Sequence, residues 1–195
     1  MHFYLGFQRK LGPMKKIDSY KIISTSKGDK GTSKNYSNEE FSKSNILFET
    51  LGNMDELSSM LGLTYHYSEH KSEIRKIQLT LQHINSLVAT NITSPNYLKL
   101  TQISELDIFE LEAFEQSLLA ESEIEPVFVL PGSDTTIEGA YFDLSRSIAR
   151  RAERSLVLFV ESMERKDLNL CLSYINRLSD LLFIYARSKA SKKAQ

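Results

Sequence analysis

The chain has 195 residues, of which 41% are hydrophobic and 25% charged, and its formal net charge at pH 7 is −1. This size and composition indicate one globular domain with a substantial core. The near-neutral charge argues against a broad nucleic-acid-binding surface, which has to be basic, and no apolar run is long enough to span a membrane. The single cysteine, Cys171, excludes an internal disulfide and a multi-cysteine zinc site, and its apolar neighbours predict a buried, inert thiol.

Residues 1–19 are predicted to be a disordered leader or a targeting segment outside the main domain, which is expected to span residues 20–190 and to be followed by a short tail, 191–195. The first sixteen residues contain four basic residues and no acidic one. This bias is typical of mitochondrial presequences, but the stretch contains no serine. A leader without function, or translation that begins at Met14, explains it as well. The predicted location is mitochondrial in a eukaryote and cytoplasmic otherwise.

The segment 21–45 is predicted to be a loop, apart from a possible short strand over residues 20–24. Its first half has the components of an anion-binding loop: glycines that permit close backbone approach, lysines that supply charge and hydroxyls that donate hydrogen bonds. The spacing is not that of a Walker A motif, and a flexible surface loop explains the run equally well. The candidate binding residues are Thr25, Lys27, Gly28, Asp29, Lys30, Gly31 and Ser33.

Hydrophobic residues then recur at helical spacing in five stretches, which predicts an all-α fold, a five-helix bundle with short connections. A loop that contains Phe128, Pro131 and Gly132 separates the third helix from the fourth, because proline and glycine stop regular structure. The predicted inward residues are Leu47, Leu51, Met54, Ser58, Leu61 and Tyr65 in the first helix, which Asp55 flanks; Ile74, Ile77, Leu81, Ile84 and Val88 in the second; Leu106, Phe109, Ala113 and Leu118 in the third, over 104–120; and Leu168, Leu172, Ile175, Ser179, Leu182 and Ala186 in the fifth, over about 168–189.

A zinc-binding alternative arises between the first two helices. The run from His66 to His70, with Glu69 between them, matches the H-x-x-E-H pattern of inverzincin metalloproteases. Two histidines four residues apart can bind zinc from one face of a helix. However, the match lies where the first helix is predicted to end, and no other motif supports peptide hydrolysis. Two exposed histidines are the other interpretation.

The predicted fourth helix, about 136–162, carries a cluster of arginines. Because each residue advances about 100° around a helix, Arg146, Arg150, Glu153 and Arg154 share one face. Arginine without lysine favours bidentate recognition of phosphate or carboxylate, and a carboxylate within the cluster can orient an arginine or accept a hydrogen bond from a ribose hydroxyl. The alternative is a solvated charged face. The opposite face is apolar and predicts a core stripe of Ile148, Ala152, Leu156 and Phe159.

The predicted fifth helix adds a polar pair at the edge of its apolar stripe. Asn176 and Asp180 are four residues apart and therefore share a side of the helix. Such a pair suits either a ligand contact or a hydrogen bond to another helix, and the two interpretations are equally compatible with the sequence.

Five motifs in this order resemble those of one family, the ATP:cob(I)alamin adenosyltransferases of the propanediol-utilisation type. They are T-x-x-G-D-K-G-x-[ST] in the loop, D-E-L-S-S in the first helix, F-V-L-P-G before the fourth helix, and R-x-x-x-R-R-A-E-R and N-R-L-S-D in the last two. The resemblance covers about residues 20–190. It implies a ferritin-like bundle that assembles as a homotrimer, with active sites between subunits.

The resemblance also implies a reaction. The 5′-deoxyadenosyl group of ATP is transferred to the cobalt of reduced cobalamin, and triphosphate is released. Mg²⁺ is expected on the ATP phosphates, with no metal site formed by the protein alone. A cobalamin reductase is the expected partner that supplies Co(I), and an adenosylcobalamin-dependent mutase or a similar enzyme is the expected acceptor of the product.

Residue roles carry over from the resemblance. The residues of the loop from Thr25 to Ser33 would wrap around ATP. Asp55 and Arg146 would pair across the subunit interface, and Phe128 would lie under the corrin ring, in the place of the lower axial base. Triphosphate and nucleoside would be held by Arg150, Glu153, Arg154 and Asn176.

Two departures from the family pattern affect these roles. Ser26 and Lys27 precede Gly28 where the family has a lysine one position earlier, so the lysine of the predicted phosphate contact is displaced by one position. Ser133 follows Gly132 where the family has a second glycine. Two other classes remain, a zinc peptidase and a helical protein whose arginine face docks an acidic partner. Saturable ATP binding that requires residues 25–33 separates the adenosyltransferase from both.

Overall fold

The structure is a computed structural model that describes residues 19–20, 26, 28–124, 127–133 and 135–189. The leader up to residue 18, residues 21–24 of the possible strand and the tail 191–195 lie outside the described residues. Five long helices are present, as the sequence predicts: α1 (Ile46–Tyr67), α2 (Lys71–Val88), α3 (Glu105–Glu121), α4 (Ile137–Ser162) and α5 (Asn169–Ser188). Two short 3-10 helices, Tyr97–Lys99 and Lys166–Leu168, occupy connections between them.

The helices pack in the order α2, α1, α4, α5, α3, so that α4 and α5 form the middle of the bundle. The predicted core stripe of α4 is confirmed: Ile148, Ala152, Leu156 and Phe159 are at most 7% exposed, and the adjacent Ala149 is fully buried as well. Alanines at two of these positions allow neighbouring helices to approach closely, since the distance between helix axes depends on the size of the side chains at the contact. No helix among the described residues is long and apolar enough to cross a membrane.

Local signals in the sequence fix where these helices begin. The side chain of Asn45 accepts a hydrogen bond from the backbone of Leu47 at the start of α1, and Thr136 does the same for Gly139 at the start of α4. At the start of α3, Ser104 and Asp107 form a capping box. Each cap satisfies backbone N–H groups that the first turn of a helix leaves without partners.

The buried face of α3 differs from the prediction. Leu106 and Phe109 were expected to face inward, but both are 63% exposed, and Ala113 is exposed as well. Leu118 is buried as expected, and the other buried residues of this helix are Ile108 and Leu111. The prediction was wrong because apolar residues lie on nearly every side of this helix, so their spacing does not select one face.

The loop prediction for residues 21–45 was also wrong in part. Strands β1 (Thr32–Lys34) and β2 (Glu40–Ser42) form an antiparallel hairpin, with Ser33 opposite Phe41. The hairpin is fastened to the end of α2, since the N–H of Tyr36 donates to the carbonyl of Ala89 at 2.8 Å and the side chain of Asn91 donates to Glu39 at 2.8 Å. The loop before it is therefore held against the bundle.

A buried arginine in the connection between α4 and α5 joins it to the end of α2 and to the connection between α2 and α3. Arg165 is 8% exposed, donates to the carbonyls of Leu87 and Thr90 at 3.0 and 3.1 Å, and makes an ion pair with Asp167 at 2.9 Å. The hydroxyl of Tyr97 donates to the same carboxylate. Burial, together with that bond, raises the pKa of Tyr97 to about 12. Burial opposes ionisation of Asp167, but the hydrogen bonds from Arg165 and Tyr97 outweigh it and lower the pKa of this carboxyl group.

Cys171 is 2% exposed, as predicted. Burial is the main cause that raises the pKa of its thiol to about 12. The thiolate, which is the reactive form of cysteine, is therefore strongly disfavoured, and the residue acts as a small apolar part of the core.

Candidate active site

The candidate nucleotide loop forms a tight turn just before the hairpin. The N–H of Gly31 donates to the carbonyl of Gly28 at 3.2 Å, and the carbonyl of Gly31 accepts from the N–H of Lys43 at 2.8 Å. Gly31 has a φ of +78°, a backbone conformation that glycine adopts without a steric penalty. Asp29 and Lys30 extend from this turn into solvent, and Ser33 is in β1. Thr25 and Lys27 lie outside the described residues.

Lys43 is a further cation at this loop that the sequence did not indicate. A side-chain carbon placed on Gly28 would lie 2.8 Å from the ammonium nitrogen of Lys43, so the lysine lies directly against this glycine. The two residues are fifteen positions apart, and the hairpin brings them together. The pairing of strands only three residues long leaves no periodic signal from which this contact can be read.

The arginines of α4 separate into two groups. Arg150 and Arg154 are exposed, and the only hydrogen bond that either guanidinium makes within the described residues runs from Arg154 to the backbone carbonyl of Arg150, at 3.0 Å. Arg151 instead turns toward α1, donating to Asn53 at 3.2 Å and pairing with Glu56. Arg151 therefore links two helices, whereas most donors of Arg150 and Arg154 are not used by any group among the described residues.

Glu153 and Asn176 connect α4 to α5 beside these arginines. The amide of Asn176 donates to the carboxylate of Glu153 at 3.0 Å. The oxygen of the same amide accepts from Arg177 at 3.3 Å, and Arg177 donates to Glu112 of α3 at 2.9 Å. The inter-helix hydrogen bond predicted as one alternative for Asn176 is thus present, and it holds the amide next to the arginine cluster. Asp180, by contrast, is exposed, and its nearest carboxylate oxygen is 4.0 Å from Arg177, which is too far for a hydrogen bond.

Asp55 and Arg146 do not contact each other within one chain. Asp55 is exposed on α1 and accepts a hydrogen bond from Asn85 at 3.0 Å. It borders a groove of about 470 Å³ between α1 and α2. The guanidinium of Arg146 donates through Nε to Asp143 at 2.8 Å, and within the part of the chain that the structure describes it makes no other hydrogen bond. Both groups thus keep capacity for a partner outside their own chain.

Phe128 is 97% exposed, and its neighbours Val127 and Leu130 are 58% and 69% exposed. The ring is therefore not part of the hydrophobic core of its own chain. The chain turns directly after it: Gly132 has a φ of +77°, and the N–H of Ser133 donates to the carbonyl of Leu130 at 3.0 Å. With proline at position 131, this is the pattern of a type II turn. The result is an apolar tip presented to solvent.

The sequence of the chain matches that of a known family over residues 23–189, the family described as cobalamin adenosyltransferase. The chain belongs to this family. Corrinoid adenosyltransferase MMAB of Homo sapiens is 35% identical over 188 residues, which cover 93% of this chain and 74% of the human protein. Corrinoid adenosyltransferase PduO of Salmonella typhimurium is 32% identical over 176 residues, which cover 89% of this chain and 51% of that protein.

The fold leads to the same family. A variant of the PduO-type ATP:corrinoid adenosyltransferase from Lactobacillus reuteri, solved in complex with cobalamin and ATP, superposes with a TM-score of 0.74 and 27% sequence identity, covering 85% of this chain and 92% of that one. A second variant, complexed with ATP, gives a TM-score of 0.73 at the same identity.

The structure shows what Ser133, one departure from the adenosyltransferase pattern, contributes. Ser133, where a second glycine was expected, places its hydroxyl 2.7 Å from the carbonyl of Leu130. This hydrogen bond adds to the backbone bond that closes the turn, so the serine stabilises the turn after Phe128. The other departure, at Ser26 and Lys27, involves Lys27, which is outside the described residues; Ser26 itself is exposed and has a φ of +56°.

The zinc alternative does not fit this member of the family. His66 is in the last turn of α1, which ends at Tyr67, whereas His70 precedes α2. The two rings therefore do not share a helix face, and the ring of His70 packs against Tyr185, with 4.8 Å between centroids. Within the described ranges, no group of three or more potential ligands is arranged to hold a metal ion.

Proposed function

We propose that the protein is an ATP:corrinoid adenosyltransferase, which transfers the 5′-deoxyadenosyl group of ATP to the cobalt of Co(I) cobalamin and releases triphosphate. The observation that carries the proposal is the face of α4 beside the Glu153–Asn176 hydrogen bond, on which Arg150 and Arg154 make no ion pair with any carboxylate of the described residues. Membership of the family and the neighbours' complexes with ATP and cobalamin support it.

The chemistry requires no nucleophile from the protein. The electron pair of Co(I) forms the cobalt–carbon bond at C5′ of ATP, while the bond between C5′ and its oxygen breaks and its electrons leave with triphosphate. The protein then has to align the two reactants and stabilise the charge that develops on the leaving group. Arg150 and Arg154 supply guanidinium donors for this charge, and Lys30 and Lys43 add ammonium groups at the loop.

Mg²⁺ is proposed to enter with ATP. Magnesium prefers oxygen ligands and is commonly bound through substrate phosphates with few protein ligands. The loop agrees with this chemistry, because it provides one exposed carboxylate, that of Asp29, next to backbone and ammonium donors. Bound there, the metal would offset the negative charge of the triphosphate.

A trimer with shared active sites is the proposed assembly. In it, Asp55 of one subunit pairs with Arg146 of the next, which agrees with the absence of this pair within one chain. Phe128 is proposed to fill the lower axial side of the corrin, and its full exposure in a single chain supports a role in contact with a ligand. The proposed partners are a cobalamin reductase and an adenosylcobalamin-dependent mutase, and the proposed location is mitochondrial if the source is a eukaryote.

Mixing the protein with ATP, Mg²⁺ and chemically reduced cobalamin tests the proposal. We expect the visible spectrum to become that of adenosylcobalamin, with release of one triphosphate for each corrinoid converted. Release of triphosphate, rather than of phosphate or pyrophosphate, distinguishes this reaction from ordinary ATP hydrolysis. No conversion of the corrinoid under these conditions would refute the proposal.

A further inference from the structure

A buried carboxylate lies directly behind Arg146. Asp143 is 6% exposed, and its two oxygens face two different arginines. One oxygen accepts from Nε of Arg146 at 2.8 Å. The other lies 3.7 Å from a terminal nitrogen of Arg187, in the last turn of α5, whose side chain is 10% exposed. The three side chains thus form a row of alternating charges, from Arg187 in α5 through Asp143 to Arg146 in α4.

The contact with Asp143 determines which donors of Arg146 remain available for another partner. A guanidinium has five N–H donors in a planar arrangement, one on Nε and four on the two terminal nitrogens. Asp143 takes the donor on Nε, and the terminal nitrogens make no hydrogen bond within the described residues. These two nitrogens form the fork that binds a carboxylate in a bidentate manner. The side chain of Arg146 is 26% exposed, so the fork remains accessible.

A fixed arginine binds more tightly than a mobile one. A free arginine side chain samples many rotamers, and stopping this motion on binding opposes association. A carboxylate that already holds Nε removes much of that cost before the partner arrives. Asp143 can play this role only if it stays in place, and Arg187 favours this, because its terminal nitrogen lies 3.7 Å from the second carboxylate oxygen and attracts it from the side of α5.

We infer that Asp143 is a positioning residue for the subunit contact: it orients Arg146 so that both terminal nitrogens meet Asp55 of the partner subunit, and Arg187 holds Asp143 in position. This inference rests on the proposed function, of which the contact between Asp55 and Arg146 is a part. It adds two residues, Asp143 and Arg187, to the group that determines assembly.

The chain offers a matched control. Glu138 and Lys189 form a second partly buried ion pair between α4 and the end of α5, at 3.2 Å, and the structure shows no hydrogen bond or ion pair from Glu138 to Arg146. Asp143→Asn and Glu138→Gln each remove one carboxylate charge from the contact between α4 and α5. Any loss of stability that comes only from that contact appears in both variants, whereas an effect on Arg146 appears in Asp143→Asn alone.

The test is the concentration at which the trimer dissociates, measured by analytical ultracentrifugation. We expect Asp143→Asn to raise this concentration by about ten-fold or more, and Glu138→Gln to leave it unchanged. In a chain that also carries Asp55→Asn, the change at Asp143 should have no further effect, because the partner carboxylate is already neutral. Asp143→Glu keeps the charge but moves the carboxylate by one methylene, so it should fold normally and still weaken assembly.

The outcomes separate the two proposals. If the unmutated protein is an active trimer and the effects of Asp143→Asn and Asp55→Asn simply add, the positioning role is wrong and the adenosyltransferase stands. Equal assembly of Asp143→Glu and the unmutated protein also overturns the positioning role. If the unmutated protein is a monomer at every concentration, the proposed subunit contact fails and this inference fails with it, while the conversion of cobalamin tests the enzyme activity separately.

Discussion

Arg150 and Arg151 are adjacent in the sequence but belong to different networks, which allows a sharp test of nucleotide binding. Arg150→Lys keeps the charge but loses the planar fork, so we expect the KM for ATP to rise about ten-fold or more. Arg151→Lys is the control, because this side chain pairs with Glu56 and Asn53, and we expect its KM for ATP to stay within about two-fold. Steady-state kinetics at saturating corrinoid decide the matter, and equal values for the two variants would contradict the assignment.

Phe128 can be tested without damage to the core. Its ring is 97% exposed, so Phe128→Ala removes no buried contact and we expect the free energy of unfolding to change by less than about 0.5 kcal/mol. An axial ligand makes Co(II) hard to reduce, since its electron pair raises the orbital that must accept the electron. A phenyl ring in that place has no lone pair and excludes water. With the ring in place, Co(II) would keep only the four nitrogen ligands of the corrin. The variant should therefore lose the spectrum of this four-coordinate Co(II) and most of its turnover, while ATP binding stays normal.

Phe109→Ala is the matched control for that experiment. Phe109 is also an exposed phenylalanine, at 63%, but it lies on α3, away from the loop between α3 and α4. We expect this variant to keep the Co(II) spectrum. A Phe128→Ala protein that kept both the spectrum and full activity would remove Phe128 from the corrin site.

At the scale of the elements, the connection between α4 and α5 depends on Arg165. Replacing Arg165 by methionine keeps much of the volume but leaves the carboxylate of Asp167, which is 16% exposed, without its partner and leaves the carbonyls of Leu87 and Thr90 without their donor. Breaking a buried pair in this way costs about 3–5 kcal/mol, which corresponds to a fall in Tm on the order of 10 °C for a chain of this size. Differential scanning calorimetry at pH 7 measures it, and a fall of less than about 2 °C would contradict this role.

The contact between α3 and α5 contains a carboxyl group that opposes folding when it is charged. Burial first, and then the charge of Asp180, raise the pKa of Glu115, and one of its oxygens is buried with no hydrogen-bond partner among the described residues. A raised pKa in the folded state means that stability is lost as the pH rises through that pKa. Glu115→Gln should therefore raise Tm at pH 7 by about 1–3 °C and make little difference at pH 4.

Glu112 provides the opposite case on the same helix. Its carboxylate accepts from Arg177 at 2.9 Å, so neutralising it removes a favourable pair. We expect Glu112→Gln to lower Tm slightly at pH 7, in contrast to Glu115→Gln. A fall in Tm at pH 7 in both variants would contradict the destabilising role of the charged Glu115.

The sequence predicts the elements well where one helix face is clearly apolar and poorly where no periodic signal exists. The bounds of α4 and α5 lie within one residue of the prediction, because both helices have a clear core stripe, and α4 also begins at the cap formed by Thr136. In α3 the apolar residues surround the helix, so the buried face depends on how it docks onto α5. The hairpin, Lys43 and the cluster around Arg165 depend on contacts between distant residues in polar runs, which no local pattern reveals.

The candidate site shows the same division. The sequence places Arg150, Glu153 and Arg154 on one face of α4, and the structure agrees, because their spacing along one helix determines it. It does not reveal that Arg151, in the middle of this run, is directed to Glu56, or that Asp143 holds Arg146. Which of several adjacent arginines stays free depends on where other helices place their carboxylates.

For the whole molecule, the proposed sharing of active sites between subunits can be tested by complementation. We expect Arg150→Ala and Asp55→Ala to be inactive as separate proteins. In trimers refolded from an equal mixture, a site that takes α4 from the Asp55→Ala chain and α1 from the Arg150→Ala chain contains both native residues. Random assembly of a cyclic trimer makes about a quarter of the sites of this kind, so about a quarter of the activity should return. Sites contained within single subunits would recover nothing.

The end of α5 is fastened to the segment that leads into α4. The N–H of Thr136 donates to the carbonyl of Lys189 at 3.2 Å, the hydroxyl of Thr135 lies 3.2 Å from the same carbonyl, and Lys189 pairs with Glu138. A gene with a premature stop codon after Arg187 would encode a protein that keeps every buried residue of α5 and the whole arginine cluster. That protein would lose the contacts of Lys189 with Thr135, Thr136 and Glu138, which hold the segment that follows the apolar tip at Phe128. We therefore expect weaker corrinoid binding and unchanged nucleotide binding. A nonsense allele at the extreme end of the coding sequence would thus affect one substrate and spare the other.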